Sequence, residues 1–211
     1  MKKIILENVS KSFKGQTIFE DVNLEFTSNK IIGIVGENGS GKTVLMKLLV
    51  GLMKPSEGEI QIDENILGSD IDFPESVGVI IDKPVFLNEY SGIKNLMILK
   101  DIKNIIDENK VKETFRLVGL KDEQKKVQNY SMGMKQRLAI AQAIMEEPEL
   151  LVLDEFSNGL DKKGIELIHQ ILLAYKNEER IIIISSHNQY DINNLCDEIY
   201  EVLDNKVTKI K

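Results

Sequence analysis

The stretch that most limits what this chain can fold into is Gly36-Glu37-Asn38-Gly39-Ser40-Gly41-Lys42-Thr43. It fits the pattern G-x-x-x-x-G-K-[ST], and its context fits as well. The apolar run Ile31 to Val35 precedes it without polar alternation, as in a strand buried on both faces. A helix-like stretch, Lys42 to Leu52, follows. Glycines let the backbone curl with its N–H groups pointing inward and keep side chains away from an anion. The helix behind the loop adds the positive end of its dipole. The loop therefore suits phosphate groups. Glu37, Asn38, Gly39, Ser40 and Gly41 would line them, Lys42 would reach the β- and γ-phosphates, and the Thr43 hydroxyl would bind Mg²⁺. The competing reading is a glycine-rich turn that binds nothing. It needs a chance match to the whole pattern, expected in roughly under one chain in a hundred at ordinary glycine usage.

The rest of the chain keeps the rhythm that this loop demands. Val77 to Ile81, Leu150 to Leu153 and Ile181 to Ile184 are further apolar runs, and Asp107 to Val118, Ser131 to Met145 and Lys162 to Tyr175 are helix-like. Strands alternating with helices predict an α/β fold with a mainly parallel sheet and right-handed crossovers. Val9 to Phe26 instead alternates apolar and polar residues around a turn at Lys14-Gly15, which predicts an N-terminal antiparallel part. From about 84 to 128 the pattern is helical with no strand. Residues 1–211 are read as a single domain with a helical insertion over about 84–145, the helix after Ser131 included.

Charge and apolar content exclude some roles. The net charge is −7, which disfavours a nucleic-acid partner. No apolar run reaches the roughly 18 residues of a membrane span. The N-terminal run Ile4-Ile5-Leu6 is broken at Glu7 and Asn8, too soon for a signal peptide. Any membrane role must then come through a partner. Cys196 is the single cysteine, read as a buried structural thiol.

Leu150 to Leu153 runs straight into Asp154-Glu155. Ligands of parallel sheets sit beyond the carboxyl ends of the strands. Asp154 is expected near the Mg²⁺ that Thr43 holds, and Glu155 where it would polarise an attacking water, as phosphoryl transfer requires. Taken alone, two acids after a strand are ordinary helix-cap residues; behind a phosphate loop they read as catalytic. His187 follows Ile181 to Ile184 and Ser185-Ser186 at a second strand end, where it is expected to contact the γ-phosphate. His169 lies within a helical stretch and is given no role.

Tyr130-Ser131-Met132-Gly133-Met134-Lys135-Gln136-Arg137 resembles the signature motif of the ATP-binding-cassette family, and Ser157-Asn158-Gly159-Leu160-Asp161 resembles its D-loop. With the phosphate loop, the acidic pair and His187, these motifs run in the family's order over nearly the whole chain. The resemblance implies a P-loop ATPase that hydrolyses ATP with Mg²⁺. Phe13 would stack on adenine, and Thr17 and Val44 would complete the nucleotide contacts. It implies a head-to-tail dimer, of identical or related chains, with ATP between one phosphate loop and Ser131, Met132, Gly133 and Met134 of the other subunit. Ser131 is also an N-cap in its own right, so the helix it opens offers free N–H groups to an anion. Lys42, Glu155 and His187 would be catalytic, and Thr43, Asp154 and Asp82 would hold the metal.

The chain departs from the family pattern at Met132 and Met134, where glycine and glutamine are usual, and at Asp82, where the Q-loop glutamine is usual. A carboxylate at 82 would add negative charge beside the phosphates. This combination is similar to subunits of bacitracin- and lantibiotic-type peptide exporters. The chain ends soon after His187, which on this reading leaves no room for the regulatory domain of many importer subunits. The resemblance thus implies an exporter subunit, cytoplasmic and peripheral on the inner face of the cell membrane, driving a separate transmembrane permease. Two alternatives stand beside it: a soluble ATPase of this family acting on a non-membrane assembly, and a nucleotide-gated module that does not hydrolyse.

Overall fold

The computed structural model describes residues 2–211. Its N-terminal part is antiparallel. Strands β1 (Lys3–Phe13) and β2 (Gln16–Thr27) form a hairpin across Lys14-Gly15, and β4 (Glu57–Ile62) and β5 (Asn65–Ile66) extend it in the order β2-β1-β4-β5. The second sheet holds β3 (Lys30–Val35), β6 (Val77–Ile80), β7 (Leu150–Leu153), β8 (Ile181–Ser185), β9 (Glu198–Leu203) and β10 (Lys206–Lys209) in the order β10-β9-β3-β8-β7-β6. All its pairings are parallel except β9 with β10.

The absence of alternation in these strands has a simple cause: each face of the second sheet packs on its own core. Ile182 and Ile184 of β8, with Leu151 and Leu153 of β7, belong to one core. Ile181 and Ile183, with Leu150 and Val152, belong to the other. Successive side chains of a strand point to opposite faces, so a strand covered on both sides is apolar at every position. The second core is closed by the antiparallel sheet and α1 (Lys42–Leu49). The first is closed by α2 (Gly92–Lys103), α3 (Glu108–Leu117), α4 (Met132–Ile144), α5 (Lys162–Tyr175) and α6 (Gln189–Leu195).

Only helices lie between β6 and β7: α2, α3, a short 3-10 turn at Val127–Asn129, and α4. Helix α4 packs on β6 as well as on α2 and α3, so it belongs to both parts of the molecule. Its Leu138, Ala141 and Met145 side are buried, with Met134 half-buried against the same core. Two boundaries differ from the sequence pattern. Helix α1 stops at Leu49 rather than Leu52, because Gly51 turns left-handed (φ 78°) and swings Leu52 into an exposed turn. The strand ending at Ile81 stops at Ile80, and Asp82 then takes a left-handed backbone (φ 61°).

The contact between α4 and β6 is tight at one point. A Cβ on Gly78 would stand 2.0 Å from the carbonyl oxygen of Ala143 and 2.7 Å from Pro148 Cγ. Backbone cannot yield as a side-chain tip does. Gly78→Ala is therefore expected to destabilise the fold by roughly 3 kcal/mol or more, the upper range of overpacking. The midpoint of urea unfolding reads this directly, and a midpoint equal to wild type would refute the contact. Cys196, at the end of α6, is buried, and burial pushes its thiol up to about 12.

Candidate active site

The phosphate loop links β3 to α1. Gly41 caps the helix with φ 110° and no side chain supplies a capping bond. A Cβ there would meet Ile18 Cγ2 at 2.8 Å and Phe19 Cζ at 2.9 Å, so the position is closed to any side chain. The first-turn N–H groups of a helix have no partner within it. Here they are left for an anion. Lys42 is buried, and its ammonium donates to the carbonyl oxygens of Gly36 (2.8 Å) and Glu37 (2.9 Å). Ser40 Oγ is buried without a partner in the same loop.

Thr43 Oγ1 donates to Asp154 Oδ2 at 2.6 Å. This joins the start of α1 to the end of β7 across 111 residues of chain. Asp154 is buried, and its other oxygen accepts the Ser185 hydroxyl from the end of β8. Ser185 Oγ also accepts the Glu155 N–H at 3.0 Å, so one serine fixes both acids. Glu155 has φ 51°, an unfavourable conformation for a residue with a long side chain. Both its carboxylate oxygens are buried and make no hydrogen bond. His187 Nε2 stands 3.1 Å from Glu155 Oε1. A buried, unpartnered carboxylate is costly, and residues kept in strained backbone cluster at functional sites.

Lys42, Thr43, Asp154, Glu155 and His187 thus meet at one end of the parallel sheet. Asp82, beyond β6, shares a cavity of about 850 Å³ with Asp154, Glu155, Met132 and Lys135. Its own carboxylate is largely exposed and pairs with Lys47 of α1 at 2.6 Å. Thr17 borders a second cavity with Glu37, Asn38, Gly39 and Ser40. Val44 packs into the core from the first turn of α1. Phe13 is 41% exposed on β1 with the Lys11 ammonium 4.9 Å from its ring centre, and lines neither cavity. Ser131 caps α4, accepting the Met134 N–H at 3.2 Å, and Met132 is 66% exposed beside it. Gln136 Nε2 donates to Phe156 O, which ties α4 to the loop after Glu155.

Several residues here carried no sequence signal of their role. Ser185 is one. Lys47 is another. A third group is wholly buried: His169 Nε2 lies 2.8 Å from Asp191 Oδ1, and Ser186 donates to Asp191 Oδ2 at 2.6 Å. Burial pushes the Asp191 carboxyl up, yet the bonds from His169 and the neighbouring serines outweigh it and hold the group below its usual range. No spacing in the sequence pairs residues 169 and 191.

The donors fit a nucleotide with a hard cation: a hydroxyl and a carboxylate in contact, free helix N–H groups, a lysine and an orphaned acid. Among the described residues no three acidic, histidine or cysteine side chains converge as a self-sufficient metal cage. A cation at Thr43 and Asp154 would draw the rest of its shell from phosphate and water. No helix of the described residues is long and apolar enough to cross a membrane.

A family profile described as ABC transporter matches residues 19–158. An uncharacterized ABC transporter ATP-binding protein of Bacillus subtilis, YybJ, is 44% identical over 92% of this chain and 90% of its own. The bacitracin transport ATP-binding protein BcrA of Enterococcus faecalis is 40% identical over 92% of this chain, which spans 64% of that protein's length. The lantibiotic transport ATP-binding protein SrtF of Streptococcus pyogenes is 34% identical over 96% of this chain and 87% of its own. Among solved structures, the dimeric bacterial ABC transporter cassette MJ0796 superposes with a TM-score of 0.86 over 99% of both chains. At 22% identity that likeness speaks for the fold alone.

Proposed function

This chain belongs to the ABC transporter family, and from that premise we propose that it hydrolyses ATP to drive a separate membrane subunit, as the cassette of an exporter. The observation that carries the hydrolytic reading is the contact of Thr43 with Asp154 beside the unpartnered Glu155 carboxylate.

The phosphate loop binds the triphosphate through the N–H groups of α1 and through Lys42, whose ammonium exchanges the Gly36 and Glu37 carbonyls for phosphate oxygens. Thr43 and Asp154 would hold Mg²⁺, which would neutralise charge on the transferring phosphoryl group. Glu155 orients the attacking water and takes its proton. His187 leaves Glu155 to donate to the γ-phosphate, so the two residues separate when the site fills. Asp82, paired with Lys47, would offer its carboxylate to the metal directly or through water once it leaves that lysine. Phe13, exposed on β1, stacks on adenine.

Ser131 and Gly133 lie at the open end of α4, and we assign them to the γ-phosphate of a second copy or a related chain. The site is then complete only in a head-to-tail dimer. The relatives named for bacitracin and lantibiotic transport favour a peptide-like cargo and a place on the inner face of the cell membrane.

The test is affinity purification of the chain from native membranes in mild detergent, with its companions identified by mass. A multi-span membrane protein in stoichiometric amount is the expected result. Recovery of only soluble proteins, from membrane and soluble fractions alike, would replace the transporter reading with that of a soluble ATPase of the same family.

A further inference from the structure

Behind the nucleotide site lies a group of polar side chains that the hydrolytic chemistry does not use. His169 sits in the middle of α5, buried, with its ring stacked 5.4 Å from Tyr190 and tilted against Phe156. Its partner Asp191, in α6, has no exposed surface. Asp191 accepts the Ser186 hydroxyl, and Ser186 in turn lies 3.3 Å from the Ser157 hydroxyl and accepts the Asn188 N–H at 3.0 Å. The chain of contacts ends at two places that matter. Ser186 directly precedes His187, and Ser157 follows Glu155 by two residues. Apolar side chains would join α5 to α6 at lower cost than a buried carboxylate with its imidazole and hydroxyl partners. What the polar group supplies instead is direction: each hydrogen bond fixes an angle as well as a distance.

We propose that His169 and Asp191 are positioning residues for ATP hydrolysis, setting the loop that carries His187 and the loop after Glu155 in one register through Ser186 and Ser157. The inference rests on the hydrolytic reading above. Neither residue touches the nucleotide. The phosphate loop is built separately from β3 and α1, so its hold on the triphosphate does not pass through them.

The experiment compares His169→Ala and Asp191→Asn with the wild-type full chain. Turnover of MgATP is expected to slow on the order of tenfold, with KM held within about twofold, as for an interaction needed only when the site is assembled for reaction. Hydrogen exchange without nucleotide is read in parallel. The segments 155–159 and 185–189 should exchange on the order of tenfold faster while α1 keeps its protection, since a charge-assisted buried bond shifts a local opening by about that much. Three results would overturn the inference: unchanged turnover, turnover falling only in proportion to the folded fraction, or exchange that is unchanged or rises equally everywhere. A wild-type chain that fails to hydrolyse ATP both alone and with its membrane partner would sink the hydrolytic reading by itself, and the exchange measurement would then decide whether the two loops are coupled. Should both variants fail to fold, Ser186→Ala leaves the His169–Asp191 hydrogen bond intact and cuts the link to it. It must slow turnover and loosen both loops, or the inference fails.

Discussion

Glu155→Gln is expected to bind MgATP as tightly as wild type, to collect as a closed dimer, and to turn over roughly 10²- to 10⁴-fold more slowly, the range that a positioned acid–base group contributes. The reason lies in what the residue does before ATP arrives. Its two oxygens are buried without a hydrogen bond, with His187 Nε2 3.1 Å from one of them, and its backbone at φ 51° donates its N–H to Ser185. A buried carboxylate without a hydrogen bond on a left-handed backbone costs stability. Glutamine keeps the size of the side chain and removes the charge, so the fold should gain slightly while the water loses its acceptor. Size-exclusion chromatography with MgATP, alongside phosphate release, separates these effects. A turnover near wild type would remove Glu155 from the chemistry and direct attention to His187, 3.1 Å away.

Lys42→Ala should act at the other step. Its ammonium is buried and bonded to two loop carbonyls, and we read this as the same charge that the phosphates claim on binding. Losing one or two charge-assisted hydrogen bonds, worth about 1.5 to 3 kcal/mol each, weakens MgATP binding roughly 10- to 100-fold or more. Titration calorimetry measures it. The substitution also strips Gly36 and Glu37 of their donor, so the empty loop should loosen as well. If affinity held within about twofold, the helix N–H groups alone would carry the phosphate, and the lysine would be a strut of the loop.

Much of the site was readable in one dimension because its chemistry is local. The phosphate loop is eight consecutive residues whose glycines, lysine and threonine each answer one requirement of a bound anion. Asp154 and Glu155, ordinary cap residues if taken alone, were readable because the chain that carries them at a strand end also carries a phosphate loop. The parallel strands showed through their unbroken apolar runs, since each face meets a core. Strands β4, β9 and β10 gave less signal: Glu57, Glu59 and Gln61 face out along β4, and β10 is mostly exposed. Helix α6, with Asn193 and Asn194 in its second half, has almost no apolar stripe. The long-range polar contacts could not be read at all. Ser185 reaches Asp154 over 31 residues, and Lys47 meets Asp82 only because α1 and the end of β6 happen to adjoin. His169 looked like any helix residue until α6 brought a carboxylate to it.

Cys196 has a practical consequence for anyone who wishes to watch this molecule move. It is the chain's single thiol, it is buried in the folded protein, and burial raises it to about 12. At neutral pH only on the order of one such group in 10⁵ is the reactive thiolate. To a maleimide or a thiol crosslinker, the native protein therefore presents a blank surface. A cysteine introduced at exposed Met132 or Asn158 would take a fluorophore or spin label alone, with no need to delete the natural residue and no background to subtract.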